Sequence, residues 1–113
     1  MEVGKFKTLS FDYKDKDSKL VRFDVEAYYH SEADELFIKS LSITGDFFAY
    51  PPDIIFEFER YFSDKKVSCS SLDKISSDLS KLVNEKKALL VGIRVDIIIK
   101  ALAYFCEKFK KKG

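Results

Sequence analysis

Few residues of this sequence have a type and spacing that could carry chemistry. Asp46 is the one carboxylate in a special context, inside the stretch Ile43-Thr44-Gly45-Asp46-Phe47-Phe48-Ala49-Tyr50-Pro51-Pro52. It could act as a general base or contact a ligand. A turn residue is the simpler interpretation, because aspartate readily bonds its own nearby backbone. His30 is the only histidine, so a histidine-rich metal site is not expected.

The two cysteines, Cys69 and Cys106, do not have a metal-binding spacing. A disulfide between them is possible in principle, but free thiols are expected in a reducing cytosol. Cys106 also lies on an apolar helical stripe, where cysteine usually packs as a small buried side chain. The sequence contains no GxxxxGK[ST], GxGxxG, GxSxG, CxxC or HExxH motif. It therefore predicts neither catalytic nor metal-binding residues of a familiar kind.

The composition limits the classes of function. A length of 113 residues suits a single domain spanning residues 1–113. Its 20 Lys and Arg against 19 Asp and Glu give a net charge of +1, whereas dedicated nucleic-acid binders usually carry a basic excess. No apolar run reaches the length of a membrane span, and Met1 to Lys5 lacks the apolar region of a signal peptide. We expect a cytoplasmic protein with no nucleic-acid or membrane partner.

Apolar and polar residues alternate in the first half of the chain, which predicts β-strands. Strands are expected at residues 6–13, 20–29 and 36–43, with polar turns between them. One face of the second strand holds Val21, Phe23, Val25, Ala27 and Tyr29, and one side of the third holds Phe37, Leu41 and Ile43. The short links favour an antiparallel meander with one buried face.

Apolar residues recur every three or four positions in the second half, which predicts helices. The first helix follows Pro52 and ends near residues 63–64. Ser70 with Asp73, or Ser71 alone, could cap the second, whose pattern breaks at residues 84–87. The last runs from about residue 95 to 110. Residues 65–71 are expected to form a loop, and residues 88–93 an edge strand or an extended link. The predicted class is α+β in two layers: an antiparallel meander of three or four strands covered by about three helices.

The stretch 43–52 separates these halves and is expected to form a stiff turn. Gly45 can adopt a positive φ at little cost. Pro51 and Pro52 stop the strand, because neither can donate to a ladder. Three aromatic residues accompany the turn: Phe47, Phe48 and Tyr50. We expect one of the two phenylalanines to be buried and the other to be available to a partner.

Residues spread along the chain follow the pattern of one known family. They are Lys19-Leu20-Val21-Arg22, then Ile43-x-Gly45-Asp46-Phe47-Phe48-x-Tyr50-Pro51, then Glu59, and finally Gly92, Asp96, Ala101 and Leu102. With these residues and spacings, residues 19–105 resemble the C-terminal accessory domain of lipoate–protein ligases. In archaea that domain occurs as a separate small subunit, the B subunit.

The resemblance implies an accessory function. In this family the catalytic subunit or domain binds lipoate and ATP and carries an Arg-Arg-x-Ser-Gly-Gly-Gly motif, which is absent from this sequence. By resemblance, the chain would form a heterodimer with a catalytic subunit and permit lipoyl-adenylate formation. Lipoate, ATP and magnesium would be bound in that complex, and no cofactor by this chain alone. The acceptors would be lipoyl (E2) domains of 2-oxoacid dehydrogenases and the glycine-cleavage H protein.

The hypothesis for partner binding covers the turn and one side of the last helix. Its residues are Gly45, Asp46, Phe47, Phe48, Tyr50, Pro51, Ile97 and Tyr104. In the last helix, a second apolar stripe of Ile97, Ala101 and Tyr104 widens the main one beyond what a surface helix needs. We expect residues 88–93 or the catalytic subunit to cover this stripe. A stand-alone protein-binding or scaffold module of similar fold is the alternative function, and an independent small enzyme is a further one.

Overall fold

The computed structural model describes residues 6–112, which form six strands and three helices. The strands are β1 (Lys7–Tyr13), β2 (Val21–His30), β3 (Glu35–Gly45), β4 (Phe48–Tyr50), β5 (Lys65–Ser68) and β6 (Leu89–Val91). The helices are α1 (Asp53–Tyr61), α2 (Leu72–Lys86) and α3 (Val95–Lys112). The expectation about a signal peptide concerns Met1 to Lys5, which lie outside the described residues.

Four strands form one antiparallel sheet in the order β1-β2-β3-β5. The helices pack against it and one another: α3 contacts β1 and β2, α1 contacts β3, and α2 contacts α3. The core lies between the two layers, where Phe23 of β2, Phe58 of α1 and Phe105 of α3 are fully buried. The predicted class, α+β in two layers with an antiparallel sheet and three helices, is confirmed.

A bulge interrupts the pairing of β2 with β3. The register steps from Ala27 opposite Ile38 to Glu26 opposite Ser40. Lys39 is therefore an extra residue on β3. Because side chains alternate with a period of two, one extra residue moves the rest of the strand to the opposite face.

The bulge decides which residues of β3 reach the core. Leu41 and Ile43 are buried, as the sequence predicted. Before the bulge the core position belongs to Ile38, and the prediction that Phe37 shares the side of Leu41 was wrong. The ring of Phe37 instead stacks on Tyr28 at the outer face of the sheet, with centroids 5.6 Å apart.

The fourth strand of the main sheet is β5, in the segment that was expected to be a loop. Val67 of β5 is fully buried and stands opposite Leu36 of β3. One apolar residue among the three polar residues of this strand gives no recognisable period, so the sequence alone favoured a loop. Residues 88–93 do not supply this strand. They contain β6, which pairs with β4 in a separate two-stranded sheet.

Beyond its pairing with β5, the edge of β3 is covered by α1 and by the turn that follows this helix. The carboxylate of Glu59 accepts a hydrogen bond from the backbone N–H of Ile43, with a distance of 2.8 Å. The backbone N–H of Asp64 donates to the carbonyl of Lys39 at 3.2 Å. These bonds satisfy two backbone groups of β3 for which the sheet offers no neighbouring strand.

The helix boundaries follow the predictions with one exception. Pro52 occupies the N-cap position of α1, and Ser71 occupies that of α2 without a capping bond from its side chain. The helix α2 continues through Asn84 to Lys86, although the apolar pattern breaks there. These last residues are exposed, so the break marks the end of burial and not the end of the helix. Lys87, with a φ of 51°, terminates it in the left-handed conformation.

A disulfide joins Cys69, just after β5, to Cys106 of α3. The expectation of free thiols was wrong, whereas the predicted burial of Cys106 is confirmed. The two Cα atoms are 5.9 Å apart, within the usual span of a disulfide. The sequence could not place this pair, because Cys69 reaches α3 only once β5 has joined the sheet.

Candidate docking surface

The turn after β3 requires a glycine because the backbone of Leu20 passes directly beside it. A Cβ atom at Gly45 would lie 2.2 Å from the carbonyl oxygen of Leu20, and φ at Gly45 is +149°. The backbone N–H of Asp46 donates to the same carbonyl, at 3.1 Å. The carboxylate of Asp46 is exposed. The close approach therefore fixes the chain at the point where it leaves the main sheet.

The aromatic residues after this turn form β4, which pairs with β6 in a two-stranded ribbon. Phe48 stands opposite Val91, and Tyr50 stands opposite Leu89. The residue between the aromatics, Ala49, is buried. Because alternate residues of a strand point to opposite faces, the outer side chains fall on one side, which we call the ribbon face. Their exposed fractions are 58% for Phe48, 63% for Tyr50, 57% for Leu89 and 47% for Val91.

The ribbon is held firmly against the rest of the molecule. Helix α1 packs against β4, and the backbone N–H of Lys19 donates to the carbonyl of Gly92 at 2.9 Å. At Gly92 a Cβ atom would lie 2.6 Å from Cγ of Lys19. The start of β2, the turn at Gly45 and the end of β6 therefore meet in one place.

The eight residues of the partner-binding hypothesis occupy three different environments. Phe48 and Tyr50 lie on the ribbon face, with Gly45 and Asp46 exposed in the turn before it. Phe47 and Pro51 are half-buried, and Phe47 packs against the core. The remaining two, Ile97 and Tyr104, belong to α3 and are not part of the ribbon face.

The second stripe of α3 is covered within the chain. Ile97 and Ala101 are buried in the core. The half-buried ring of Tyr104 stacks on Phe11 of β1, with centroids 4.4 Å apart. At Tyr104 the cover thus comes from an edge strand of the main sheet.

Sequence reasoning missed half of the ribbon face. Leu89 and Val91 lie in a segment whose period is too short to classify, and only their pairing with β4 brings them beside Phe48 and Tyr50. A usable signal was the small Ala49 between two aromatic residues. That alternation indicates a short strand with large side chains outward and a small one inward.

The turn between β1 and β2 borders the ribbon and is fixed by hydrogen bonds. The guanidinium of Arg94, before α3, donates to the Asp15 carboxylate at 2.9 Å, and the hydroxyl of Tyr13 donates to it at 3.0 Å. The backbone N–H of Asp15 donates to the buried hydroxyl of Ser18 at 2.9 Å. The bond from Arg94 is the main cause that holds the pKa of the Asp15 carboxyl well below its usual range.

Two tyrosine–aspartate pairs lie elsewhere on the molecule. The hydroxyl of Tyr29 donates to Asp34 at 2.6 Å, and this hydrogen bond raises the pKa of Tyr29. The hydroxyl of Tyr61 donates to Asp78 at 2.6 Å, and burial together with this bond raises the pKa of Tyr61. Both tyrosines therefore remain hydrogen-bond donors at neutral pH and tie neighbouring elements together.

Within residues 6–112, no group of three or more His, Cys, Asp or Glu side chains is placed so that it could hold a metal ion. His30 is exposed, and its Nε2 lies 3.8 Å from the carboxylate of Glu32. No helix in the described part of the chain is both long enough and apolar enough to cross a membrane.

Comparisons with known proteins yield one informative likeness. No family model matches the sequence, and no curated protein matches it. One chain from a structural study of an archaeal lipoylation system is similar in structure. That study concerns a bi-partite lipoate protein ligase and its E2 lipoyl domain from Thermoplasma acidophilum. The TM-score is 0.60 at 23% sequence identity, and the match covers 86% of this chain and 96% of the other.

The two chains share one fold. At this level of identity the likeness describes the architecture: an antiparallel sheet covered by helices, matched over nearly the whole of both chains. It agrees with the α+β architecture that the periods of the apolar residues predicted.

Proposed function

We propose that this chain is the accessory subunit of a two-component lipoate–protein ligase. It would dock on a separate catalytic subunit and be needed there for the formation of lipoyl-adenylate. The observation that carries the proposal is the fold shared with a chain of the Thermoplasma acidophilum lipoylation system, over 86% of this chain. The residues around Gly45, which carry the sequence resemblance, support it because they build the exposed turn and ribbon.

In this proposal the catalytic subunit binds lipoate, ATP and magnesium, and this chain binds the catalytic subunit. The sequence contains no phosphate-binding loop and no Arg-Arg-x-Ser-Gly-Gly-Gly motif. Its contribution is a firm surface bearing Phe48 and Tyr50. Large aromatic side chains on a preformed surface are the residues that most often anchor protein–protein interfaces.

In this proposal the acceptor proteins take part in the catalytic cycle and are not permanent partners of this chain. The structural study of the similar chain includes an E2 lipoyl domain as well as the ligase, both from Thermoplasma acidophilum. Lipoyl domains of 2-oxoacid dehydrogenases and the glycine-cleavage H protein would receive the lipoyl group from the adenylate. Their contacts with this chain would be transient.

Reconstitution tests the proposal directly. The purified chain is mixed with the ligase catalytic subunit of the same organism, lipoate, ATP and magnesium. Lipoyl-adenylate formation is followed by pyrophosphate release, and transfer by the mass increase of a lipoyl domain. The expected result is activity from the mixture and little or none from either protein alone.

Two outcomes would contradict the proposal. A catalytic subunit that forms lipoyl-adenylate at the same rate without this chain needs no accessory subunit. Binding without any effect on the rate would instead identify a stand-alone binding module. Reactions without lipoate, or with the acceptor lysine of the lipoyl domain replaced, serve as controls for pyrophosphate released by other routes.

A further inference from the structure

A lysine-lined cavity adjoins the ribbon face. It is a shallow, open cavity of about 460 Å³ beside the turn at residues 14–19, and its lining includes Val91. Val91 also belongs to the ribbon face, so the two surfaces are continuous. Lys14, Lys16 and Lys19 line the cavity. Within residues 6–112, none of these three lysines has a carboxylate oxygen within 4.0 Å of its ammonium group.

The turn that carries these lysines is ordered before any partner arrives. Asp15 binds Arg94 and Tyr13 through its carboxylate, and its second carboxylate oxygen accepts from the backbone N–H of Asp17 at 2.9 Å. The backbone of Lys19 is tied to Gly92. A binding surface whose backbone is already fixed loses less conformational entropy when a partner docks.

The ribbon face is too small to be a complete interface. Its four side chains expose an apolar area on the order of a few hundred Å², the size at which such a patch marks a contact site. A specific protein interface covers about 800 Å² on each partner. A protein that sits on the ribbon face must therefore cover neighbouring surface too, and beyond Val91 that surface is the lysine-lined cavity.

We infer that the ribbon face and the lysine-lined cavity form one docking surface for the catalytic subunit, which meets them with an apolar centre and an acidic margin. This inference rests on the proposed function and adds the charge of the surface that the partner brings. Interfaces pair potentials of opposite sign, because like charges brought together repel each other. The lining holds three lysines against the two carboxylates of Asp17 and Asp46, and this excess of positive charge favours a partner that brings carboxylates to the same edge.

An anionic membrane also combines an apolar layer with negative charge, but the cavity suits it less well. Asp17 and Asp46 line the same cavity as the lysines. Their carboxylates would be repelled by a uniformly anionic lipid surface, whereas a protein can place N–H donors against them. The alternation of lysine and aspartate therefore favours a protein surface with a defined pattern of charges.

Charge reversal of the three lysines tests the inference. The variant Lys14→Glu/Lys16→Glu/Lys19→Glu is compared with Lys66→Glu/Lys81→Glu/Lys108→Glu, which makes the same change in net charge at exposed positions elsewhere. Association with the catalytic subunit is measured at several salt concentrations. The cavity variant should associate on the order of tenfold more slowly or worse, and lose most of the salt dependence of the wild type. The control variant should keep both.

A second variant tests the apolar part of the surface. Phe48→Ser/Leu89→Ser removes two large side chains from the ribbon face. The matched control, Phe56→Ser, changes another large apolar residue that is exposed on α1. The ribbon variant should dissociate at least tenfold faster while melting at nearly the wild-type temperature.

A milder change at the three lysines checks the charge effect. Lys14→Gln/Lys16→Gln/Lys19→Gln, which removes charge without reversing it, should show an association rate between those of the wild type and the charge-reversal variant.

The outcomes separate this inference from the proposed function. If the wild type supports lipoylation but both surface variants bind like the wild type, the docking surface lies elsewhere and only the inference fails. If the wild type does not bind the catalytic subunit, the proposed function fails. Vesicles of equal parts phosphatidylcholine and phosphatidylglycerol complete the test. Binding of the wild type to them, lost in the cavity variant and without binding to the subunit, would overturn the protein partner in favour of a membrane.

Discussion

The two β-sheets of this protein carry different kinds of side chain on their outer faces. On the main sheet, Arg22 pairs with Asp12 at 3.2 Å and with Asp24 at 3.3 Å, and the hydroxyl of Ser10 contacts Asp24 as well. On the ribbon, the corresponding positions hold four large apolar residues. The same chain thus builds one outer face with charged side chains, which water solvates well, and one with apolar side chains, whose contact with water is unfavourable. β-structure does not force apolar residues outward here, so the ribbon is the part of the molecule that fits the proposed docking surface.

The aromatic residues on the outer face of the main sheet sharpen the contrast. The rings of Phe6, Tyr28 and Phe37 lie within 6.1 Å of one another, and all three are half-buried. They cover each other, which reduces the apolar area that meets water. Phe48 and Tyr50 have no such cover and remain more than half exposed.

The largest expected effect separates inward from outward aromatic residues. Phe23→Ala should lower the free energy of unfolding by about 3–5 kcal/mol, because it empties a fully buried position of β2. Phe48→Ala should change it by no more than about 0.5 kcal/mol, as for other exposed positions. Chemical denaturation followed by circular dichroism measures both. A strong loss of stability in Phe48→Ala would show that the ribbon face supports the fold and would end the comparison.

The next effect concerns the disulfide that ties the end of β5 to α3, whereas the two strands of the ribbon contain no cysteine. Cys69 and Cys106 are separated by 37 positions, and closing a loop of that size stabilises a fold by roughly 3–4 kcal/mol at most. Cys69→Ser should lose a large part of this under oxidising conditions. Wild type treated with dithiothreitol should match the variant, and Ser70→Ala should not. Equal stability of the oxidised wild type and the variant would mean that the disulfide adds nothing.

The turn that leads to the ribbon should be nearly as sensitive. Gly45→Val places a branched Cβ against the carbonyl of Leu20 at a positive φ, so a loss of about 2–3 kcal/mol is expected. Thr44→Val, at the exposed neighbouring position of β3, is the control and should be nearly neutral. The melting temperatures of the two variants provide the comparison. If Gly45→Val melts like the control, the ribbon can move away from β2 at little cost.

The smallest effect is the pH dependence of the turn beside the ribbon. The pKa of the Asp15 carboxyl is lowered from its ordinary value of 3.8 by the hydrogen bond from Arg94. Its contribution to stability is therefore fully present above that value and is lost as the pH falls towards the lower pKa of the folded state. Asp15→Asn should melt slightly earlier at pH 7 and lose less stability on acidification than the wild type. Asp17→Asn, which keeps the bond from Arg94, should follow the wild-type curve, and identical curves for all three would refute the assignment.

The sequence predicted the long elements well because their patterns repeat. The alternation from Val21 to Ala27 spans most of β2, and the stripe from Ile98 to Phe109 covers most of α3. In both elements, a single residue that departs from the pattern leaves the period recognisable. The position of Phe37 failed for a different reason: a bulge at Lys39 is set by how two strands pair, and neither strand shows it alone.

The candidate site was predicted only in part, for the same physical reason. Phe48 and Tyr50 stood out locally, beside a turn that Gly45 and Pro51 make recognisable. Leu89 and Val91 join them through pairing between segments about 40 positions apart, and three residues carry no period of their own. The sequence allowed the disulfide but favoured free thiols, and the four residues of β5 are also too few to show that Cys69 approaches α3. The residue pattern thus does not predict contacts between short segments that are far apart in the sequence.

The bond between Glu59 and the backbone of Ile43 has a consequence for the behaviour of the protein at high concentration. An uncovered strand edge is a template on which a strand of another molecule can add, and this is a common start of aggregation. The α1 carboxylate occupies the Ile43 N–H and sets a negative charge in the path of an incoming strand. A helix side chain thereby closes the sheet where β5 is too short to do so, and helps to keep the molecules from joining edge to edge.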